Sequence, residues 1–319
     1  MTRTNLELVE ECDRFPYYQD DPAAYTTHMK KYHSFKVKGC ESVLGYMLNE
    51  VVDRFDWPTE SWSIDATNRT VTLTAGPTPA ERNLALAQVL ERAVSQDLFA
   101  VLRGWRNELY PVYGPDGEFL LEMERCASPL FGIVAYGIHA TAYVEDEQGL
   151  KLWVPRRSNT KQTYPSMLDN TVAGGMSTGE KPFECLVREA MEEASLPEDV
   201  VRANATATGC VSYTYTRDSR AGGETDLVQP EVEYVYDIKL PADVVPKPND
   251  TEVEEFCLLT VEETKKALAN GEFKPNCAVV LIDFFLRHGI LTPENEKDFL
   301  QIITKIHRRL EFPTVSYAK

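Results

Sequence analysis

Apolar residues recur at every second position in short stretches of the chain and at every third or fourth in longer ones, and turn residues punctuate both. In the first part of the chain this pattern predicts a helix over residues 6–14 and another over 43–55, closed by Trp57-Pro58. Trp62-Ser-Ile64 and Thr70-Val-Thr-Leu-Thr74 alternate as a strand pair, with Asn68 in the turn. Pro79 opens a helix over 80–96, where Leu84, Ala87, Val89, Leu90 and Val94 are spaced for burial. A strand over 105–113 then runs into the turn Gly114-Pro-Asp-Gly117. These elements predict a compact α+β unit over 1–126, with a boundary at Ser128-Pro129.

Past that boundary strands and helices alternate. Strands are predicted over 132–144 and 150–154, joined by a Gln148-Gly149 turn, then over 207–215, 231–240 and 252–259. Helices are predicted over 197–202, 261–270, 277–288 and 293–310. Residues 217–226 read as a Gly-rich charged loop, and Pro246-Lys-Pro248 as a linker. Strands and helices alternating around one sheet predict a layered α/β architecture for 127–319. No internal repeat or low-complexity segment interrupts either part.

Composition narrows the function. The chain has 319 residues, an ordinary 43% hydrophobic content and a formal charge of −17. That charge argues against nucleic-acid partners and anionic membrane surfaces. A small anionic substrate remains compatible, because a local basic strip or a bound cation reverses the sign. The seven cysteines are scattered without a C-x2-C pair, which excludes a zinc framework and fits reduced thiols. No apolar run reaches the roughly 20 residues of a membrane span. The acidic, amphipathic N-terminus resembles neither a signal nor a transit peptide, so the expected location is cytoplasmic.

The candidate chemistry lies mid-chain. A glycine-bearing loop from Gly174-Gly175 leads into a helix with an apolar stripe of Phe183, Leu186, Val187, Ala190 and Ala194. Glu189, Glu192 and Glu193, at i, i+3 and i+4, share one helix face. Glu189 and Glu193 repel, and acids near a helix C-terminus cost about 0.3–1 kcal/mol each against the macrodipole. Either this is a solvated acidic surface, or a cation compensates. Carboxylates without His or Cys suit a hard ion, Mg²⁺ or Mn²⁺. Just upstream, Arg156, Arg157 and Lys161 put three cations in six residues, a candidate phosphate clamp. Asp169 and Asn170 follow, either as turn residues or as contacts to a substrate ring, the two readings being equally open.

The spacing G-x5-E-x7-R-E-x2-E-E at Gly174, Glu180, Arg188, Glu189, Glu192 and Glu193 resembles the signature box of the Nudix hydrolases. The resemblance implies an α/β/α sandwich with a mixed sheet and hydrolysis of a diphosphate. It also implies metal ligation by Glu189, Glu192 and Glu193, and an Arg188–Glu180 pair bracing the loop. Ser195 stands where the box has glycine, at the left-handed position past the helix end. Ala190 replaces a bulkier aliphatic. The general base is either a box glutamate or a later one, Glu231 or Glu233; an exposed strand face explains those two equally well.

Trp153-Val-Pro-Arg-Arg-Ser158, Lys161-Gln-Thr-Tyr-Pro165, Leu168–Gly175 and Phe273-Lys-Pro-Asn276 extend the resemblance to the eukaryotic Nudix proteins called thiamine-pyrophosphokinase-related. That likeness implies a small-molecule substrate of thiamine diphosphate type, oxidised or oxy-substituted, cut to monophosphate and orthophosphate. Other organic diphosphates, an isomerase of the isopentenyl diphosphate type and a non-catalytic binding module are the alternatives. The isomerase needs a reactive cysteine that Thr171–Gly175 lacks. The sequence leaves the oligomeric state open.

Overall fold

The computed structural model describes residues 2–161, 163–249 and 251–317. The N-terminal part contains α1 (Asn5–Cys12), α2 (Pro22–Met29), β1 (Tyr32–Val37), β2 (Gly45–Leu48), α3 (Asn49–Arg54), β3 (Trp62–Asp65), β4 (Thr70–Leu73) and α4 (Pro79–Ser95). A hairpin of β5 (Leu109–Tyr113) and β6 (Phe119–Glu124) follows, then the short α5 (Ser128–Phe131). The four strands β2-β1-β4-β3 form one sheet, with β1 and β4 parallel. Thr78 and Glu81 close a capping box around Pro79 and fix the start of α4.

Three expectations for local structure need correction. Residues 43–55 divide into β2 and α3, because Gly45 lies against the backbone of Phe131 and Gly132, where no side chain fits, and β2 pairs with β1. On α4 the buried stripe is Ala85, Leu86, Val89, Leu90 and Ala93. Leu84, 64% exposed, and Val94 face out because that stripe runs beside them. The helix expected over 293–310 shortens to α10 (Phe299–Lys305).

The remaining elements are β7 (Ala135–Asp146), β8 (Gly149–Arg157), β9 (Val172–Gly175), α6 (Pro182–Ala194), α7 (Glu198–Asn204), β10 (Ala205–Thr216), β11 (Val228–Lys239), β12 (Val253–Thr260), α8 (Val261–Ala269), α9 (Pro275–Arg287) and α10. Strands run β10-β11-β7-β8-β12, with β9 also paired to β7. Among the described strands of this sheet β11 and β7 pair in parallel and the others antiparallel, so it is mixed. Core residues of α6 (Leu186, Ala190) pack with Ile138, Val172 and Ile238 on one face. Residues of α9 and α10 pack with Leu152, Val211 and Val235 on the other. The α/β/α sandwich follows, with an α+β segment before it.

The first helix crosses the expected boundary at 126. Leu8, Val9 and Cys12 of α1 join the α9 core rather than the N-terminal sheet. At its end the buried Asp13 accepts from Arg308 Nη1 at 3.1 Å and from the Thr214 amide at 2.9 Å. Among the described residues no helix is long and apolar enough to cross a membrane.

Candidate active site

The loop and helix of the acidic box sit where β9 ends. Pro182 occupies the first turn of α6, where a missing N–H costs nothing, and Cys185, Leu186, Val187, Ala190 and Ala194 bury one side of the helix. Ser195 closes it in the left-handed region (φ 53°) while the Leu196 amide donates to Ala190 O at 3.0 Å. A non-glycine residue there costs about 1 kcal/mol. Upstream, the Thr178 amide and hydroxyl both donate to Leu109 O, at 2.9 and 3.2 Å, tying the box loop to β5.

Arg188 organises the acids. Its Nε and Nη2 form a fork on Glu180 at 2.8 and 3.0 Å, and its Nη1 reaches Glu189 at 2.8 Å and Glu192 at 3.0 Å. Burial opposes ionisation of Glu180, but Arg188 outweighs it and holds that carboxyl below the usual range. Glu189 and Glu193 are recessed at the cavity wall, whereas Glu192 is 54% exposed and points along the surface. The three glutamates are therefore a recessed pair with one outer neighbour. Glu189 presses so close to Gly174 that a Cβ there would overlap its carboxyl. Glu193 accepts from the Ala173 amide at 3.0 Å, on the open edge of β9.

The donor set passes a chemical test for a hard divalent cation. Burial pushes both the Glu189 and Glu193 carboxyls up, and at Glu193 the charge of Glu189 adds to the effect. Two recessed acids raised in this way are short of positive charge, and their oxygens suit Mg²⁺ or Mn²⁺. Among the described residues no three His, Cys, Asp or Glu side chains already converge on one point. Glu192 is held outside the pair by its bond to Arg188.

A cavity of about 650 Å³ opens beside this pair. Strand alternation builds its floor: Ala135, Gly137 and His139 from β7, Ala173 and Gly175 from β9, Glu231 and Glu233 from β11. Glu233 pairs in register with Gly137, and Gly137 with Gly175, so Glu233 lies about 10 Å, two strand spacings, from the box loop. Glu233 is buried and Glu231 half-buried, and both line the cavity, which removes the exposed-face reading. The Tyr213 hydroxyl lies between them, touching Glu231 and 3.0 Å from Glu233 Oε1. Burial, then the charge of Glu233, push Glu231 up to about 7. Burial also opposes the charge on Glu233, yet His139, 3.7 Å away, outweighs it and holds Glu233 low. His139 is oriented by Asn170 Oδ1 at 2.7 Å. Glu233 Oε2 is buried and, among the described residues, has no hydrogen-bond partner.

The expected phosphate clamp takes a different form. Arg156 is a correction: on β8 it alternates away from Arg157, bonds Ser166 O at 2.9 Å and does not line the cavity. Arg157 does line it, but all three guanidinium nitrogens are engaged, by Asp169 at 2.7 Å, Thr163 O at 3.0 Å and Tyr164 O at 3.2 Å. Lys161 pairs with Glu252. Asp169 is a second correction. It is buried between Arg157 and the Cys277 thiol, and so braces the wall rather than facing a substrate. Burial resists its charge, but Arg157 and Lys274 hold it well below the usual range.

Sequence reading missed Tyr110 and Arg125, both at the cavity. The Tyr110 hydroxyl fills the space above Gly175 where a Cβ would stand, and Arg125 lies 5.6 Å from the Tyr110 ring centre. Only folding joins them to the box. Lys274 was within a recognised motif, Phe273–Asn276, without a role; it faces the same cavity.

A family model described as the NUDIX domain matches residues 135–277, and one described as a domain of unknown function, DUF4743, matches 6–135. An uncharacterized Saccharomyces cerevisiae protein, YJR142W, is 46% identical over 74% of this chain and 70% of its own length. Nudix hydrolase 20, chloroplastic, of Arabidopsis thaliana is 34% identical over 84% of this chain and 71% of its own. A solved Deinococcus radiodurans protein, DR0079, matches with a TM-score of 0.37 and 23% identity, over 52% of this chain and 91% of that one. The chain thus belongs to the Nudix hydrolase family, whose members act on phosphorus-containing anhydrides.

Proposed function

We propose that this protein is a Mg²⁺-dependent diphosphatase that cuts thiamine-type diphosphates, oxidised or oxy-substituted forms above all, to monophosphate and orthophosphate. The observation that carries the hydrolytic part is the recessed Glu189–Glu193 pair at one end of a cavity with acids on its floor and cations on its walls. Glu189 and Glu193 hold the ion, with Glu192 as a third ligand once released from Arg188. Bound there, a divalent cation neutralises the diphosphate and acidifies water. Arg188 and Glu180 brace the loop, and Gly174 and Gly175 let the Glu189 carboxyl and the Tyr110 hydroxyl close onto its backbone. Glu231, with its raised pKa, is the group suited to take a proton from water near neutral pH.

The thiamine part rests on the segments flanking the box, Trp153–Ser158, Lys161–Pro165 and Phe273–Asn276. The cavity is consistent with it: its size is that of a small-molecule site, and its small-residue floor leaves room for a flat ring beside Tyr213 and Tyr215. The isomerase alternative lacks its nucleophile. Burial pushes the cavity thiols Cys12 and Cys126 up, Cys126 to about 12, so neither supplies thiolate at neutral pH.

Steady-state kinetics with Mg²⁺ on thiamine diphosphate, oxythiamine diphosphate, ADP-ribose and nucleoside diphosphates test the substrate. A thiamine-type compound should exceed the others in kcat/KM by at least about tenfold. Preference for a nucleotide would overturn the assignment.

A further inference from the structure

We propose that the N-terminal DUF4743 segment is half of the substrate site, and that Arg125 supplies the anion-binding fork facing the metal-ligating helix. The inference rests on the diphosphatase reading of that helix. It does not depend on the organic group the diphosphate carries.

The arginine expected to hold phosphate is already engaged at every nitrogen. Each guanidinium nitrogen of Arg157 has a protein acceptor. Arg103, also at the cavity, is spent on Asp97 in a two-bond fork at 3.0 and 2.7 Å. Arg125 differs. Its Nη1 alone carries both bonds to Glu108, at 3.2 and 3.0 Å. Among the described residues its Nε and Nη2 have no protein acceptor, and the side chain, 44% exposed, opens to the cavity. A guanidinium edge with two parallel donors matches two oxygens of a phosphate.

Position supports the assignment. Arg125 sits beside Tyr110, whose hydroxyl covers Gly175 of the box loop. Its charge acts on Glu189 and on Glu252 across the cavity. Arg106, paired with Glu252 at 3.5 Å, stands next to it on the same wall. The wall is anchored from both sides. The Ala100 and Val101 amides donate to Glu224 at 2.7 and 3.1 Å, and Thr178 bonds Leu109 O. A free fork on an anchored wall, facing an acidic helix that needs a cation, is arranged to bridge to an anion held by that cation. The segment's role is therefore to complete the site, which a Nudix domain over 135–277 alone would leave open on this side.

Methylenediphosphonate with Mg²⁺, titrated calorimetrically into the full-length protein, tests this without turnover and without a thiamine group. Arg125→Met keeps the stem against Tyr110 and removes the fork; it should weaken binding about ten- to a hundredfold. On whichever diphosphate the enzyme hydrolyses, it should raise KM more than it lowers kcat. Arg92→Ala, on the exposed Asp56 pair of α4, should bind as wild type. Glu108→Gln releases Nη1 and should tighten binding; this variant decides the question if Arg125→Met does not fold. Wild-type affinity in folded Arg125→Met, or no gain in Glu108→Gln where the first variant is unfolded, overturns the proposal. A wild-type protein that ignores the probe with Mg²⁺ overturns the metal-bridged anion site itself, and a thiamine preference failing in the kinetic screen leaves Arg125 untouched.

Discussion

The hydroxyl of Tyr110 occupies the space a Cβ on Gly175 would need. A strand of the N-terminal segment thus closes directly over the box loop, and glycine is required at 175 for contact rather than for backbone freedom. Gly175→Ala must displace the buried phenol, at a cost of about 1–3 kcal/mol. Urea denaturation of Gly175→Ala, Tyr110→Phe and the double variant checks this. Tyr110→Phe should recover part of the loss, because the hydroxyl is the nearest obstacle.

The metal pair yields an unusual combination of effects. Glu189 and Glu193 are both raised by burial. Glu193→Gln should cut kcat on the order of 10²–10³-fold, the scale of losing one electrostatic contributor. Stability should hold or rise, since the neutral amide relieves repulsion from Glu189. Turnover and thermal melting of the same preparation test both halves; a large drop in Tm would show that the carboxylate is structural.

The buried Asp169–Arg157 pair predicts the opposite for stability. Asp169→Asn leaves Arg157 buried without its counter-charge and should cost about 3–5 kcal/mol. Because the Asp169 pKa is depressed in the folded state, its stabilisation is present above the unfolded value of 3.8 and is lost as pH falls. Denaturation midpoints at about pH 5 and at about pH 2.5, on either side of the unfolded value, should differ less in the variant than in the wild type.

Glu231 sets the pH response near neutrality. It faces Glu233 and Gln229 on its own strand, Tyr213 on β10, Arg217 just after β10, Cys12 on α1, Tyr110 on β5 and Lys274 before α9, with His139 behind Glu233. With its carboxyl at about 7, a base there gains activity as pH rises through that value. kcat/KM should climb between about pH 6 and 8, and Glu231→Gln should flatten that limb. Stability runs the other way. The folded state holds this proton more tightly, so its contribution fades as pH rises from the ordinary 4.5 toward 7.

The parts of the site legible in the sequence are the local ones. Arg188, Glu189, Glu192 and Glu193 lie within two helical turns, and Glu180 precedes them by a fixed loop, so spacing alone set their geometry. Glu231 and Glu233 were identified as residues but not as cavity-facing, because a period of two does not say which face of a strand is covered. Arg156 and Arg157 looked like one clamp, yet adjacent strand residues point to opposite faces. Tyr110, Arg125 and Glu252 meet the box only through tertiary folding, and no spacing encodes that. The reach of α1 into the α9 core was hidden for the same reason: an amphipathic helix does not name its partner.

The central claim is that a diphosphate is cut by an ion held on Glu189 and Glu193. Orthophosphate release from oxythiamine diphosphate, measured with and without Mg²⁺ for wild type and for the Glu189→Gln/Glu193→Gln double variant, tests it most directly. The expected result is Mg²⁺-dependent release of one phosphate per monophosphate formed, abolished by chelation and absent from the folded double variant. Wild-type rates in that variant, or release unaffected by chelation, would contradict it.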